Sequence, residues 1–250
     1  MKIATRDLLA ELLVEALEDQ VAAAALRCLA VYCQAVKKTP PTMLVDRFLF
    51  PAPAVERENV LALLKENPLF LWDLRGRSAR VTLASAFTAE WAEIVTKLLQ
   101  YDTALAEWVP DEAAPAIMHA LRKGVLLFNH RLFFEVHEVL EAQWVKESGE
   151  EKRFLQGLIQ IAVAFYHLGN HNLRGTLLLL HDGVEKVSPY QPAFLGIELR
   201  DFLAGLETCR SELLQLGPTG LARFQTELIP QMRFVQDRGQ GLGVGDQPLS

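Results

Sequence analysis

The chain of 250 residues is poor in cysteine and lacks the motifs of several common enzyme classes. Its three cysteines, Cys28, Cys33 and Cys209, form no CxxC pair and no metal-type spacing. An odd number of such thiols is typical of a reduced protein, so we expect all three to serve in core packing. The sequence also contains no glycine-rich phosphate loop and no serine or cysteine nucleophile motif. Nucleotide hydrolysis and thiol catalysis therefore have no support.

Positive charge is scarce as well, with 25 Lys and Arg against 31 Asp and Glu and a formal net charge of -6. This balance argues against a protein that coats nucleic acid or an anionic membrane. Charged residues between Arg6 and Asp19 interrupt the apolar positions of the N-terminus, which therefore offers neither a signal-peptide core nor a membrane span. We expect a cytoplasmic protein with no membrane contact and no general affinity for nucleic acid.

The N-terminal region, residues 1–110, shows mainly the hydrophobic period of α-helices. Prolines divide it, because proline lacks an amide proton and disfavours a helical conformation in the preceding residue. Two short apolar segments near its middle are strand-like instead. The predicted elements are helices at about 5–36, broken near Asp19, at 42–50 and at 55–66, followed by strands at 69–72 and 80–83.

The two strand-like segments resemble the hairpin of a winged-helix domain. Arg75, Arg77 and Arg80 surround the turn and could contact phosphates. The helix before the hairpin, however, carries acidic residues such as Glu58 and Glu66, a poor electrostatic match to DNA. Two interpretations therefore stay open: a short helix and loop that pack against the bundle, which we favour, and a small winged-helix-like hairpin, for which DNA binding is the weaker hypothesis.

The C-terminal part, residues 111–238, is predicted to be a multi-helix bundle, and the glycine-rich residues 239–250 a flexible tail. The fold class is thus all-α apart from the hairpin. Thr88 is the predicted N-cap of the last helix before the bundle. Further helices are predicted from Pro110 to about Phe128 and at about 131–146, 151–168, 173–187, 192–216 and 221–235.

All six histidines lie between His119 and His181, and several motifs occur in this window. They are Phe128-Asn129, His137-Glu138-x-Leu140-Glu141-x-x-Trp144, Phe154-Leu155-Gln156-Gly157-Leu158-Ile159-Gln160, Tyr166-His167 and Asn172-x-x-Gly175. In this order they resemble the bacterial and archaeal domain-of-unknown-function family numbered 309, over about residues 115–216. The resemblance implies a small all-helical domain whose biochemical activity is not established.

Helical geometry places Phe133, His137, Leu140 and Trp144 on one face of their helix, so His137 is expected to be buried. A buried imidazole needs polar partners. The favoured interpretation is a structural hydrogen-bond network that fixes the register of two central helices. Its members would be His137, Glu141, Gln156, Gln160 and His167, with Asn172 capping the next helix.

Two chemical alternatives remain open. His137 and Glu141, one turn apart, could bind a divalent metal with Glu138 as a base, and His167, His171 or His130 would have to complete the ligand set. In a metal-free pocket, His137 and Glu141 could instead bind a polar ligand or act in acid-base catalysis. Whether the protein is an enzyme stays undecided, and its apolar helical faces are compatible with a homodimer.

Overall fold

The structure, a computed structural model, describes residues 1–35, 42–75 and 79–235. The predicted tail at 239–250 and Arg77 lie outside the described residues. Within them the fold is mostly helical with a small antiparallel sheet, which confirms the predicted class. No helix in these ranges is both long and apolar enough to cross a membrane.

The N-terminal region contains five helices and three strands in its described part. The predicted break near Asp19 is confirmed, because α1 ends at Ala16 and α2 begins at Gln20. The elements are α1 Ile3–Ala16, α2 Gln20–Ala35, β1 Thr42–Leu44, α3 Val45–Phe48, α4 Arg57–Glu66, β2 Phe70–Asp73, β3 Arg80–Leu83 and α5 Trp91–Glu107.

The described residues between Gln20 and Leu83 resemble a winged helix in the order of their elements and are here called the winged-helix unit. Their elements follow the order α2, β1, α3, α4, β2, β3, and the sheet order β1-β3-β2 is antiparallel throughout. Thr42–Leu44 was predicted as helix and is a strand instead, because it pairs with residues 80–82 of β3, a contact that local periodicity cannot reveal. The unit's core forms around the buried Tyr32, whose ring makes edge contacts with Phe48, Phe70 and Trp91.

The C-terminal bundle consists of α6 Ala116–Asn129, α7 Phe133–Trp144, α8 Gly149–Gly169, α9 Leu173–Val187 and α10 Arg200–Gly220, with a short hairpin of β4 Ala193–Phe194 and β5 Ile197–Glu198. Helix α8 is central, as predicted, and packs between α7 and α9. Gly157 and Gly183 let α8 and α9 approach closely: a Cβ on Gly157 would lie 2.5 Å from Val187 Cγ2.

Several predicted helix boundaries after β3 are wrong. Thr88 lies inside a 3₁₀ turn, and α5 begins at Trp91 without a side-chain cap. The hairpin replaces the start of the helix predicted at 192–216, since Gly196 adopts a positive φ of 75° that suits a turn. Residues 221–235 form two 3₁₀ turns instead of one long helix.

The two parts of the chain share a continuous buried cluster. It includes Leu9 and Leu13 of α1, Ile94 of α5 and Val136 of α7. Helix α1 packs on α2, α5 and α7, so it lies between the winged-helix unit and the bundle.

Candidate functional site

The signature histidine of α7 faces two carboxylates of its own helix. His137 Nδ1 lies 2.9 Å from Glu138 Oε1, and its Nε2 lies 3.1 Å from Glu141 Oε2. The His137 side chain is 27% exposed, so the prediction that it is buried is wrong. Glu138 and Glu141 are exposed as well. This group is therefore an open, acidic surface cluster on α7.

Of the other predicted network residues, His167 and Asn172 form a second group at the end of α8, while Gln156 and Gln160 lie earlier on that helix. Asn172 caps α9, as predicted, because its Oδ1 accepts the Gly175 amide at 3.0 Å. Its Nδ2 lies 3.3 Å from His167 Nδ1. Gln160 Oε1 is buried and has no hydrogen-bond partner among the described residues. In the described part of the chain, no hydrogen bond connects this group to His137 or Glu141.

The structure separates the histidines that a metal site would need. His130 Nε2 lies 3.0 Å from Glu107 Oε2, and His167 contacts Asn172. His171 is exposed in the loop between α8 and α9. Within residues 1–35, 42–75 and 79–235, no three His, Cys, Asp or Glu side chains form a group suited to a metal ion.

A buried carboxylate that sequence reasoning missed joins the two halves of the protein. Glu135 in the first turn of α7 is fully buried. Its Oε1 accepts the Tyr101 hydroxyl at 2.5 Å, and both of its oxygens accept from Lys97 Nζ, at 2.8 and 3.1 Å. Burial and the neighbouring Glu135 carboxylate raise the pKa of Tyr101 well above its usual value. Lys97 and Tyr101 belong to α5, so this network fixes α5 on α7.

The buried stripe of α7 was assigned to the wrong face. Leu140 is buried, as expected, but Phe133, His137 and Trp144 are only partly buried. The stripe consists of Glu135, Val136, Val139, Leu140 and Gln143. The last four of these residues follow Glu135 by one, four, five and eight positions, which is a helical spacing, so the sequence contains the pattern of the buried face. The pattern is hard to recognise because carboxylates are rarely buried.

A second contact between the halves involves Arg6 of α1. Its guanidinium carbon lies 3.8 Å from the centroid of the Phe134 ring, a cation–π contact. Its Nη1 donates to the Tyr166 hydroxyl at 2.8 Å, and its Nε and Nη2 donate to Asp7 Oδ1. Phe134 precedes Glu135 on α7, so neighbouring residues of this helix contact two different N-terminal helices.

These contacts border a cavity of about 520 Å³, here called the junction cavity. Its wall includes three cationic side chains, Arg6, Lys97 and Arg131, and several aromatic rings. Arg131 Nη2 donates to Ile229 O at 2.8 Å and its Nη1 to Pro230 O at 3.4 Å. Burial lowers the pKa of Arg131, although nearby Cys209 and Glu227 oppose the shift.

The winged-helix unit presents few cations in a DNA-binding arrangement. Arg75 is 96% exposed, and its Nε lies 3.5 Å from Asp73 Oδ1. Arg80 is exposed on β3. Arg57 at the start of α4 donates to the Ala52 carbonyl, and the exposed side of that helix includes Glu58.

The three thiols are buried and free, as predicted. Burial raises the pKa of Cys28 and of Cys209 to about 11 and that of Cys33 to about 12. A thiol with such a pKa is almost fully protonated at neutral pH and is therefore a poor nucleophile.

Comparison with known proteins identifies the family of the bundle's central segment. Residues 121–179 match the model of a family described as Domain of unknown function (DUF309). The match is shorter than the predicted extent of 115–216 but lies within it. Uncharacterized protein YpuF of Bacillus subtilis (strain 168) is 38% identical over 55 residues, which cover 22% of this chain and 32% of the relative.

The chain thus matches about a third of that relative, whose name assigns it no activity. The matched residues include α7, α8 and the first part of α9, and with them His137, Glu135 and Tyr166. The predicted resemblance is confirmed for this part of the chain. Residues 121–179 are similar to this family and are here called the DUF309 segment.

Proposed function

We propose that this protein is an interaction module that binds a second copy of itself through the winged-helix unit. The observation that carries the proposal is the solvent side of the three-stranded sheet. Leu44 on β1 is 47% exposed and Leu71 on β2 is 58% exposed, although alternating residues on the same strands are buried. Apolar side chains on an uncovered sheet face are typical of a binding surface.

The composition of this sheet face favours a protein partner over nucleic acid. Besides the two leucines the face carries Thr42, Thr82, Asp73 and Arg80. The positive charge of Arg80 is therefore balanced by the negative charge of Asp73. A surface that binds the phosphate backbone needs several uncompensated cations. The neighbouring α4 offers no such set, since Arg57 is held by a backbone carbonyl and Glu58 is exposed.

The same face has the charge pattern that a two-fold symmetric contact needs. Asp73 and Arg80 are register partners on β2 and β3, and Leu44 lies opposite Arg80 on β1. In an isologous contact each surface meets its own copy, so a patch with one cation, one carboxylate and apolar neighbours is self-complementary. A second copy of the chain therefore satisfies both the charged pair and the leucines.

The DUF309 segment has a structural part in this proposal. Through Glu135 and Phe134 it holds α5 and α1, which in turn pack against α2 of the winged-helix unit. The sheet face is thereby presented by a rigid body. The metal and acid-base alternatives have weaker support, because the described ligand candidates around His137 lie on one helix and at its surface.

Sedimentation equilibrium on the full chain tests the proposal. We expect concentration-dependent dimerisation between about 1 and about 100 μM, the range of a modest protein interface. Leu71→Glu should shift the chain to monomer, because it places a charge in the apolar contact. Leu178→Glu is the matched control: Leu178 on α9 is as exposed as Leu71 but lies on the bundle, so dimerisation should be unchanged.

A parent chain that stays monomeric over this range contradicts the proposal, and so does a Leu71→Glu variant that dimerises like the parent. Binding of duplex DNA at low salt, weakened when Arg75 and Arg80 are both changed to Ala, would instead support the nucleic-acid hypothesis.

A further inference from the structure

We propose that the junction cavity binds an amphipathic carboxylate, a ligand with one carboxylate group on an aromatic or aliphatic body. The cavity lies between α1, α5, α7, the end of α8 and the segment after α10. None of the residues predicted to carry chemistry, apart from His171 as a candidate metal ligand, lines it. It is therefore a separate site from the surface cluster around His137.

The size and walls of the cavity suit a small organic molecule. Its volume of about 520 Å³ is within the range of pockets that bind cofactors and drug-sized ligands. The apolar part of the wall comes from aromatic rings of α7 and α8 and from the segment after α10. These residues are Phe133, Phe134, Phe165, Tyr166, Phe224 and Ile229. Rings in such a wall bind an apolar body by burying its surface.

The charges of the lining favour an anion. Arg6, Lys97 and Arg131 face the cavity, and the carboxylate among the described lining residues is Glu93, which pairs with the N-terminal amine of Met1. Two of the three cations already have carboxylate partners, Asp7 for Arg6 and Glu135 for Lys97. The negative charge of the ligand would therefore be paired mainly with the third cation, Arg131.

Arg131 is the cation available for a ligand. No carboxylate in the described chain forms an ion pair with it, and its guanidinium donates only to the carbonyls of Ile229 and Pro230. Those bonds hold the side chain in place and leave other N–H groups unused. A guanidinium with free donors at the wall of a partly apolar cavity is suited to bind a carboxylate.

The backbone around the cavity is strained in two places. Arg131 has a φ of 61° and His171 a φ of 56°, both in the left-handed region that side chains rarely adopt, and both residues line the cavity. Such strain costs about 1–3 kcal/mol per residue and concentrates at ligand sites. At Arg131 the unusual conformation accompanies the placement at the wall of a cation that forms no ion pair in the described chain, although Glu227 is near enough to act on its charge.

Calorimetric titration of the full chain with three matched probes tests the site. The probes are 6-phenylhexanoate, the neutral 6-phenylhexanamide and the cationic 6-phenylhexylamine, which share one body and differ in charge. We expect the carboxylate to bind at least about tenfold more tightly than either analogue, the scale of one charge-assisted hydrogen bond. Sodium phosphate alone is expected to bind much more weakly, because it lacks the apolar body.

Two variants locate the binding. Arg131→Gln should weaken carboxylate binding by about tenfold and bring it close to that of the amide. Ala222→Trp places a large ring at the exposed rim of the cavity and should abolish binding. Ala62→Trp, at an exposed position of α4 that does not line the cavity, should leave it unchanged.

The proposal is overturned if the carboxylate does not bind, binds no better than the amine, or binds equally well to the Ala222→Trp variant. Phosphate that binds as tightly as the carboxylate would overturn the amphipathic class and indicate a plain anion site. Should Arg131→Gln fail to fold, the rim variant and its control still decide whether the ligand enters this cavity.

Discussion

The winged-helix unit exposes more large apolar side chains than the C-terminal bundle does. Five large apolar side chains are exposed within residues 42–75, namely Leu44, Phe50, Val55, Leu71 and Leu74. Within residues 116–220, three times as long, there are three: Val145, Leu178 and Leu214. A bundle can close on itself because each helix has neighbours on several sides, whereas a small sheet has only one covered face. Leu44 and Leu71 of this set lie on the uncovered sheet face, where we propose that a partner binds.

Buried charge shows the reverse distribution. Among the residues that the structure describes, the buried charged side chains are Glu90, Lys123 and Glu135, and all three lie outside the winged-helix unit. Glu135 and Lys97 connect α7 to α5, and Lys123 pairs with Glu18, which follows α1. The interior of the winged-helix unit is apolar, and its outer sheet face exposes the apolar side chains of Leu44 and Leu71. The junction, by contrast, is fixed by specific polar contacts.

The largest expected effect comes from breaking the junction. Glu135→Ala should lower the free energy of unfolding by about 3 kcal/mol, because it leaves Lys97 and Tyr101 without their shared acceptor. Glu138→Ala, an exposed carboxylate on the same helix, should change it by at most about 0.5 kcal/mol. Urea denaturation measures both. Equal effects of the two substitutions would mean that the Glu135 network does not hold the halves together.

A smaller effect tests the close packing of the bundle. Gly183→Ala should cost about 1–3 kcal/mol, since the new methyl group would lie 2.7 Å from Ile161 Cγ1 and 2.8 Å from Gly157 O. Gly169→Ala is the control, because no atom lies within 4 Å of its added methyl group. Thermal unfolding of both variants checks the contrast. A Gly183→Ala protein as stable as its control would show that α8 and α9 can separate without loss.

The smallest effect concerns the signature histidine. His137→Ala should cost at most about 1 kcal/mol, because its partners lie on the same helix and the cluster is open to water. Combined with Gln160→Ala, it should be additive within about 0.5 kcal/mol, since no hydrogen bond joins the two described side chains. If the two changes in the free energy of unfolding were strongly non-additive in urea denaturation, the single hydrogen-bond network predicted from the sequence would be supported instead.

The errors of the sequence analysis have physical causes at particular residues. Thr42–Leu44 became a strand because β3, 38 residues later, supplies its hydrogen bonds. His137 was expected to be buried because α7 carries apolar residues on more than one face, and periodicity alone does not say which face a neighbour covers. Glu135 was missed because its partners, Lys97 and Tyr101, lie in a different part of the chain.

The sequence by itself determined the helical class, the break near Asp19, the two strand-like segments at β2 and β3, the Asn172 cap and the order of the motifs that resemble DUF309. All of these depend on contacts between residues close in the chain or on a recognisable order of motifs. The tertiary structure alone decided which face of α7 is buried, that Glu135 is the polar centre of the junction, and that Arg6, Lys97 and Arg131 meet around one cavity. Those features bring together residues 30 to 130 positions apart, and no local pattern specifies such distances.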